Sequence, residues 1–232
     1  MIYFDLDNLI KKGLLRISKL LFPPKCLFCR EITLGTSIHE NLCEDCEKTH
    51  VLVGWLNGET KLGPALVPVD GVFAGCEYDT SVKSAVVRLK FYETLSAAKP
   101  LAYMMGRGLK YYLDLFDVII PVPLSQKRFR DRGFNQSELI SVELGLQLGI
   151  PVNSGALLRT RHTKKQSLTK GIERLQNIFS AFAIADDADL KGKRILLIDD
   201  VLTTGSTAAE CARVLRLGGA EKIYVAVVAL AV

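Results

Sequence analysis

The sequence predicts an α/β protein with a doubly wound, mostly parallel sheet, preceded by a small cysteine-rich segment. Three observations lead to this fold class. From residue 69 onwards, short apolar runs of strand character alternate with longer runs of helical period. The strongest apolar run, residues 193–198, leads into two aspartates and a turn rich in threonine and glycine. Four cysteines occur as two CxxC pairs within residues 25–50, a stretch with little material for a core.

The bulk composition is that of a globular protein. The 232 residues are 49% hydrophobic and 24% charged, which argues against general disorder and suits one α/β domain with a small appendage. The net charge of +5 fits an anionic ligand without requiring nucleic acid. No run reaches the ~18–20 apolar residues that cross a bilayer. We therefore expect no integral membrane segment and a cytoplasmic protein.

The chain divides into four predicted segments. Residues 1–24 predict an amphipathic helix, because apolar residues recur at helical spacing over residues 5–21 before two prolines end the pattern. Its apolar side either packs on its own domain or touches a membrane surface transiently. The remaining segments are a zinc ribbon at residues 25–50, a linker rich in glycine and proline at residues 51–68, and the main domain at residues 69–232.

The cysteine segment predicts a metal site. Cys26, Cys29, Cys43 and Cys46 form two CxxC pairs at a separation typical of a tetrahedral zinc site with four thiolates. So short a segment cannot bury a useful core, so the ion would supply its folding energy, and the zinc would be structural. Free thiols, disulfides and a redox CxxC are the alternatives. Cys76 and Cys211 lie in predicted core elements, and we expect them to be buried apolar residues.

The elements of the main domain follow from the period of its apolar residues. Residues 117–121 form a short buried run, residues 178–184 alternate in character, and the helix at 135–148 stops near Gly149 and Pro151. In chain order, the predicted elements are strand 71–78, helices 81–92 and 97–113, strand 117–121, helix 135–148, a basic loop at 160–171, strands 178–184 and 193–198, helix 206–217 and strand 223–232.

The segment Ile195 to Thr207, ILLIDDVLTTGST, predicts a sugar phosphate site. Ligands of open α/β sheets bind beyond the carboxyl ends of the strands. Small residues around Gly205 let backbone N–H groups approach a phosphate, and the helix start adds its positive dipole end. Asp199 and Asp200 would repel a phosphate, so they are better suited to ribose hydroxyls or to a Mg²⁺ ion. The segment is neither a Walker A loop nor GxGxxG.

This segment resembles the motif with which type I phosphoribosyltransferases bind 5-phosphoribosyl-1-pyrophosphate (PRPP). In that family the two acids meet the ribose hydroxyls and the following loop meets the 5-phosphate. The resemblance implies a type I phosphoribosyltransferase-like fold and a PRPP site with Mg²⁺. It assigns this site to Asp199, Asp200, Val201, Leu202, Thr203, Thr204, Gly205, Ser206 and Thr207.

A longer resemblance covers the chain from about Leu21. The two CxxC pairs, RLKF at residues 88–91, PVPLSQKRFRDRGFNQSELI at residues 121–140 and the PRPP motif occur in the order typical of the ComF family. These are zinc-ribbon, phosphoribosyltransferase-like proteins associated with natural competence. Membership would imply a cytoplasmic role in handling incoming single-stranded DNA. A competence helicase or a recombination mediator would be the expected partner.

Two basic segments complete the predicted site. The resemblance assigns the pyrophosphate loop to Pro123, Leu124 and Ser125, with Lys127, Arg128 and Arg132 neutralising the diphosphate. A solvated charged loop is the alternative. Residues 159–174 resemble the flexible lid that closes over PRPP in the same fold. Its candidate residues are Arg161, Lys164, Lys165, Gln166 and Arg174, and the alternative is that this loop follows a nucleic-acid backbone.

Two functions of different classes remain open at this point. An enzyme would displace pyrophosphate from PRPP with an unidentified acceptor, by positioning and charge neutralisation. We find no catalytic residue in the sequence and no set of residues that would recognise a nucleobase. A binding module for DNA uptake would instead use PRPP as a ligand, with Phe129 and Phe134 as the candidates for base stacking. We favour a PRPP-binding protein that acts in transformation, and leave catalysis open.

Overall fold

The computed structural model describes residues 18–33, 39–50, 54–56, 69–91, 94–160 and 181–231. The chain divides into two compact units, Met1–Thr49 and His50–Val232, and each is described by itself. Most of the predicted N-terminal helix and linker lie outside the described residues, as do all five candidate lid residues and the first part of the predicted strand at 178–184.

The first unit is a short ribbon closed by backbone hydrogen bonds. Residues Lys25 and Ile32 form an antiparallel bridge, and the turn between them holds Arg30 in the left-handed region at φ 70°. Residues 18–21 are helical, and the helix α1 (Glu44–Thr49) begins directly after Cys43. The described core consists of few side chains, among them Leu27 and Leu42, so little apolar surface stabilises this unit.

The second unit contains a five-stranded sheet in the order β1-β2-β7-β6-β3. Its first strand pairs antiparallel with the second, and the other pairs are parallel. The predicted α/β fold with a mostly parallel sheet is therefore confirmed. The strands are β1 (Gly54–Leu56), β2 (Gly71–Glu77), β3 (Val118–Pro121), β6 (Arg194–Leu202) and β7 (Lys222–Leu230).

Helices cover both faces of this sheet, and each predicted helix of the main domain is present. The helices are α2 (Thr80–Phe91), α3 (Thr94–Leu109), a 3-10 helix (Lys110–Leu115), α4 (Gln126–Arg132), α5 (Gln136–Leu148) and α6 (Ser206–Leu217). Ile195 and Leu197 of β6 share a buried cluster with α6. Leu196 and Ile198 point to the opposite face, because side chains alternate along a strand. All four residues are fully buried.

Two features differ from the predicted elements. A two-stranded antiparallel hairpin, β4 (Leu157–Arg159) with β5 (Phe182–Ile184), lies outside the main sheet. The basic segment at residues 127–132, predicted as a loop, is the helix α4. Its N-cap is Ser125, whose side chain accepts a hydrogen bond from the Arg128 N–H, and Gly133 ends it at φ 79°. These two caps explain why a segment without an apolar face forms a helix.

Strand register brings the two predicted phosphate-binding segments together. Residues Ile120 and Pro121 of β3 pair with Leu197 and Ile198 of β6. The backbone N–H of Val122 then donates to the Ile198 carbonyl at 2.9 Å. Since parallel strands end at the same edge of a sheet, residues 122–125 and the acid pair after Ile198 lie side by side.

Candidate functional site

The acid pair is part of the sheet and does not follow its end. We predicted that the strand ends at residue 198, but β6 continues through Asp199 and Asp200 to Leu202. It does so because β7 extends beside it, with Asp199 opposite Val227 and Val201 opposite Ala229. The ladder therefore fixes the backbone of both acids.

Asp199 lies in a partly buried, hydrogen-bonded position. Its Oδ1 accepts hydrogen bonds from the Ser137 hydroxyl at 3.1 Å and from the Asp200 N–H at 2.8 Å. Burial, and then the neighbouring Asp200 carboxylate, raise the pKa of the Asp199 carboxyl to about 7, against the two hydrogen bonds and Lys90. This carboxyl therefore changes charge near neutral pH, as carboxyls at ligand sites often do.

Asp200 is held by cations instead. Its Oδ2 pairs with Lys90 Nζ of α2 at 2.5 Å, and both side chains are largely buried. Its Oδ1 accepts a hydrogen bond from the Val201 N–H at 2.7 Å. Burial lowers the pKa of the nearby Arg132, and repulsion by Arg128 lowers it too, whereas attraction to Asp200 opposes both. The guanidinium of Arg132 also lies over the Phe91 ring, 5.1 Å from its centroid.

The turn after β6 presents an open helix start. Gly205, at φ 73°, is the N-cap of α6, and no side chain caps this helix. The hydroxyls of Thr204 and Ser206 lie 3.0 Å apart, and Thr203 and Thr204 are exposed. The first backbone N–H groups of a helix have no partner within it. This turn can therefore offer N–H and O–H donors to an anion.

Residues 122–125 form the neighbouring wall of the site. The Asn135 side chain donates from Nδ2 to the Val122 carbonyl at 3.1 Å and accepts through Oδ1 from the Ser137 N–H. Asn135 thereby caps α5 and attaches residue 122 to the helix that carries Ser137. The same motif thus links the predicted pyrophosphate segment to Asp199 through buried side chains.

Arg159 is a further cation of this region. It is the last residue of β4, and its guanidinium lies over the Phe182 ring of β5, 5.0 Å from the centroid. Burial lowers the pKa of Arg159, as does repulsion by Arg128, while Asp199 and Cys211 raise it. Arg132 therefore interacts electrostatically with Asp200, Arg159 interacts with Asp199, and Arg128 repels both arginines.

A cavity of about 810 Å³ lies beside this cluster. Its volume falls within the range of about 300–1,000 Å³ that small-molecule sites occupy. Arg159, Leu158 and Thr160 line it from the β4 side, and Phe129 and Arg130 line it from α4.

The structure brings most of the predicted site residues to one edge of the sheet. Asp199 and Asp200, the turn at residues 203–207, the segment at residues 123–125, Arg128 and Arg132 all lie there. Sequence reasoning missed Lys90 and Ser137 as members of the site, and it included Arg159 only as the first residue of the predicted lid. Lys90 belongs to the RLKF segment and Ser137 to the RGFNQS segment, so the order of motifs held a signal for both.

The four ribbon cysteines also converge. The sulfur atoms of Cys26, Cys29, Cys43 and Cys46 lie within 4.8 Å of one another. Those of Cys29 and Cys43 are 3.6 Å apart, close to the ~3.8 Å expected for two thiolates of a tetrahedral zinc site. No disulfide joins them. The cluster therefore suits a metal ion with four thiolate ligands. Cys76 and Cys211 are buried in the second unit, as predicted.

Within the described ranges, no helix has both the length and the apolar character needed to cross a membrane.

Comparison with known proteins identifies the domain around the acid pair. A family model for the phosphoribosyl transferase domain matches residues 135–231. Among solved structures, the purine phosphoribosyltransferase of Pyrococcus horikoshii Ot3 is 24% identical, with a TM-score of 0.38 over 57% of this chain and 73% of that one. The glutamine PRPP amidotransferase of B. subtilis is 17% identical, with a TM-score of 0.39 over 61% and 30%. The assignment of the fold follows from the strand order and the family model.

Curated relatives extend the likeness beyond this domain. Competence protein F of Haemophilus influenzae is 37% identical over 146 residues, which cover 60% of this chain and 64% of that protein. DNA utilization protein YhgH of Escherichia coli strain K12 is 36% identical over 63% and 59% of the two chains. Competence protein ComFC of Bacillus subtilis is 34% identical over 58% and 54%. The chain thus spans less than two thirds of the length of these relatives. These matches confirm the resemblance predicted from the order of the motifs: the chain has homologues named Competence protein F, ComFC and DNA utilization protein YhgH, and its residues 135–231 match the phosphoribosyl transferase domain.

Proposed function

We propose that this protein binds PRPP at the carboxyl edge of its sheet and acts in DNA uptake, where it handles incoming single-stranded DNA. One observation carries the ligand assignment. A pair of carboxyls with different partners, Asp199 and Asp200, lies beside a helix start that no side chain caps. Acids suited to a diol and donors suited to a monoester are thus adjacent, as a ribose 5-phosphate requires.

Each group of the ligand has a matching set of residues in this proposal. The 5-phosphate takes the N–H and O–H donors of residues 203–207. The ribose hydroxyls donate to Asp199 and Asp200. The diphosphate meets the backbone of residues 123–125 and the side chains of Arg128 and Arg132, because two guanidiniums offset its charge. Mg²⁺ prefers oxygen ligands, and the diphosphate together with Asp200 would supply them.

Lys90 has a specific part in this exchange. In the ligand-free protein its ammonium neutralises Asp200 at 2.5 Å. A ribose hydroxyl that approaches Asp200 competes for the same carboxylate. Lys90 would then turn to a diphosphate oxygen, so the protein keeps its charges paired while the ligand enters.

Catalysis is the alternative function, and the convergence of cations favours it. Lys90, Arg128 and Arg132 lie where pyrophosphate would leave from the anomeric carbon as an acceptor nucleophile forms its bond to that carbon. Charge neutralisation of the leaving group would then supply the rate enhancement. The acceptor is not identified by any described residue.

The remaining parts of the proposal concern the rest of the chain. The four-cysteine cluster would hold a structural zinc, since thiolates fill all four positions of a tetrahedral ion. The segment at residues 161–174 would close over the ligand as a lid. A cytoplasmic protein fits both the free cysteines and a role with incoming DNA.

Calorimetric titration of the zinc-loaded protein with PRPP and Mg²⁺ tests the ligand assignment. We expect binding by the wild type and loss of at least tenfold in affinity for Asp199→Ala/Asp200→Ala. Asp187→Asn, an exposed carboxylate at a distant turn, is the control and should bind as the wild type does. Equal affinity of all three proteins, or no binding by the wild type, would refute the proposed site.

Two further assays separate the functions. Pyrophosphate release from PRPP with candidate acceptors, abolished by Asp200→Ala, would support catalysis. Salt-sensitive binding of single-stranded DNA that survives Asp200→Ala would support the binding module. A role in uptake requires that a strain lacking the gene loses transformation and regains it with the wild-type chain. Full transformation in the deletion strain would exclude that role.

A further inference from the structure

The helix α4 distributes its side chains over two sides. Its Arg128 and Arg132 lie four residues apart on one side, from which Arg132 interacts with Asp200. Gln126, Phe129 and Arg130 share a second side and line the 810 Å³ cavity. We call this second side the groove face. The basic segment, predicted as one pyrophosphate-neutralising loop, therefore serves two separate surfaces.

No residue of α4 is buried, which is unusual for a helix of a folded domain. Phe129 is 48% exposed, although burial of a phenylalanine is strongly favourable. Helices of seven residues are marginal in water, and this one relies on its two caps. Its composition is thus not explained by packing within the chain.

The cations of α4 are also available to a ligand. Among the residues that the structure describes, Arg130 has no hydrogen-bond or ion-pair partner through its side chain. Glu138 is the one carboxylate among the described residues that line the cavity, against Arg130 and Arg159. The lining therefore carries at Arg130 a positive charge that can attract an anion.

Apolar side chains lie between these cations. Phe129 faces the cavity from α4, and Leu158, itself 46% exposed, faces it from β4. Pro123, Leu124 and Leu157 extend the apolar lining. A flat aromatic group thus finds an exposed ring and an apolar wall, with guanidiniums within the same lining.

We propose that the groove face of α4 is the contact surface for a single nucleic-acid strand, with a base stacked on Phe129 and a phosphate bound by Arg130. An exposed ring such as Phe129 beside a cation such as Arg130 is the combination that binds single strands without sequence preference. An acidic peptide would use the cations but would gain little from the ring. This inference rests on the proposed role in DNA uptake and names the surface that performs it.

Pro123 and Leu124 are shared with the predicted diphosphate segment, but Phe129 and Arg130 are not part of it, so variants of these two residues test the strand surface apart from the PRPP site. Anisotropy of a labelled oligothymidine measures strand binding, and calorimetry with PRPP and Mg²⁺ measures the sugar phosphate site. We expect Phe129→Ala to weaken strand binding by about 5- to 150-fold, the loss typical of one stacked base. Phe129→Trp should retain it. Arg130→Ala should reduce the salt dependence by about one phosphate contact.

The controls lie at the opposite edge of the sheet. Tyr111 is 75% exposed in the 3-10 helix before β3, and Lys191 is exposed in the turn before β6. Tyr111→Ala and Lys191→Ala should bind the strand as the wild type does. The variants at Phe129, Arg130, Tyr111 and Lys191 should all retain the wild-type circular dichroism and PRPP affinity, because each altered side chain is exposed and outside the acid cluster.

Three outcomes would overturn the inference. Phe129→Ala and Phe129→Leu could bind oligothymidine as tightly as the wild type. Tyr111→Ala could lose as much affinity as Phe129→Ala. A polyglutamate peptide could displace the strand with the same dependence on Phe129, which would point to an acidic protein partner. In each of these cases, a wild-type protein that binds PRPP still supports the proposed ligand site. If the wild type does not bind PRPP but binds the strand as expected, only the ligand site is refuted.

Discussion

Replacement of Asp199 by asparagine should stabilise the ligand-free protein and abolish its PRPP binding. An asparagine oxygen can accept the hydrogen bonds from Ser137 and from the Asp200 N–H, so the local geometry is kept. The amide carries no charge, so it removes both the desolvation of Asp199 and its repulsion by Asp200. Sites built for ligands often carry such a cost in stability.

The size of the effect follows from the pKa of Asp199. Burial first, and then Asp200, raise this pKa from 3.8 to about 7, which corresponds to at most about 4 kcal/mol once the group is ionised. The folded state therefore binds the proton more tightly than the unfolded state. The wild type loses stability as pH rises between these two values, and the loss is complete above about pH 7. From about pH 5 to about pH 8 the loss is roughly 2–3 kcal/mol.

Urea denaturation of both proteins at about pH 5 and about pH 8 measures this difference. We expect the advantage of Asp199→Asn in the free energy of unfolding to grow by roughly 2–3 kcal/mol over that range. Asp187→Asn, at an exposed site, should show no such growth. An advantage that is the same at both pH values, or a variant less stable than the wild type at about pH 8, would refute the reasoning.

Three further predictions concern the ion pair, the cysteines and one buried amide. Hydrogen bonds from Arg194, followed by its charge, lower the pKa of Asp117 to about 2. Asp117→Asn should therefore reduce the melting temperature above about pH 4, and the reduction should fade as pH falls towards 2. An equal reduction at both ends of that pH range would contradict this prediction. Cys46→Ser should reduce the amount of zinc bound per chain, measured by mass spectrometry, whereas Cys211→Ala in the core should leave it unchanged. Equal amounts of zinc in the two variants would exclude the cluster as the metal site. Gln136 is 1% exposed, and its Nε2 has no hydrogen-bond partner within the described part of the chain. Gln136→Leu should therefore raise the free energy of unfolding in urea by about 1 kcal/mol. A clear decrease in that free energy would mean that the amide has a hydrogen-bond partner.

The acid pair and its turn could be found from the sequence because their signal is local. A buried strand, two acids and a Gly-containing turn follow one another within thirteen residues, and each has a conformational reason to be there. The cysteine cluster was equally accessible, because the CxxC spacing itself brings two sulfurs towards one point. The continuation of the strand through the acids could not be predicted from the sequence, since its extent depends on the length of β7.

The partners of the acids could not be derived from local pattern. Ser137 lies 62 positions from Asp199 in the sequence, and Lys90 reaches Asp200 from α2, a helix three elements earlier than β3. Only the register of the sheet decides that these side chains meet. The helix α4 was missed for a different reason. Its residues show no apolar period because none of them is buried, and period is the main evidence for a helix.

The continuation of β6 through Asp199 and Asp200 has a consequence for how ligands exchange. The two carboxyls lie on a central strand that pairs with β7 beside the acids and with β3 just before them. The compensating positive charges belong to side chains of three different elements, namely α2, α4 and the β4–β5 hairpin. A ligand can therefore enter while these cationic side chains rearrange one at a time. The spacing of the two acids, on which recognition of a diol depends, stays constant.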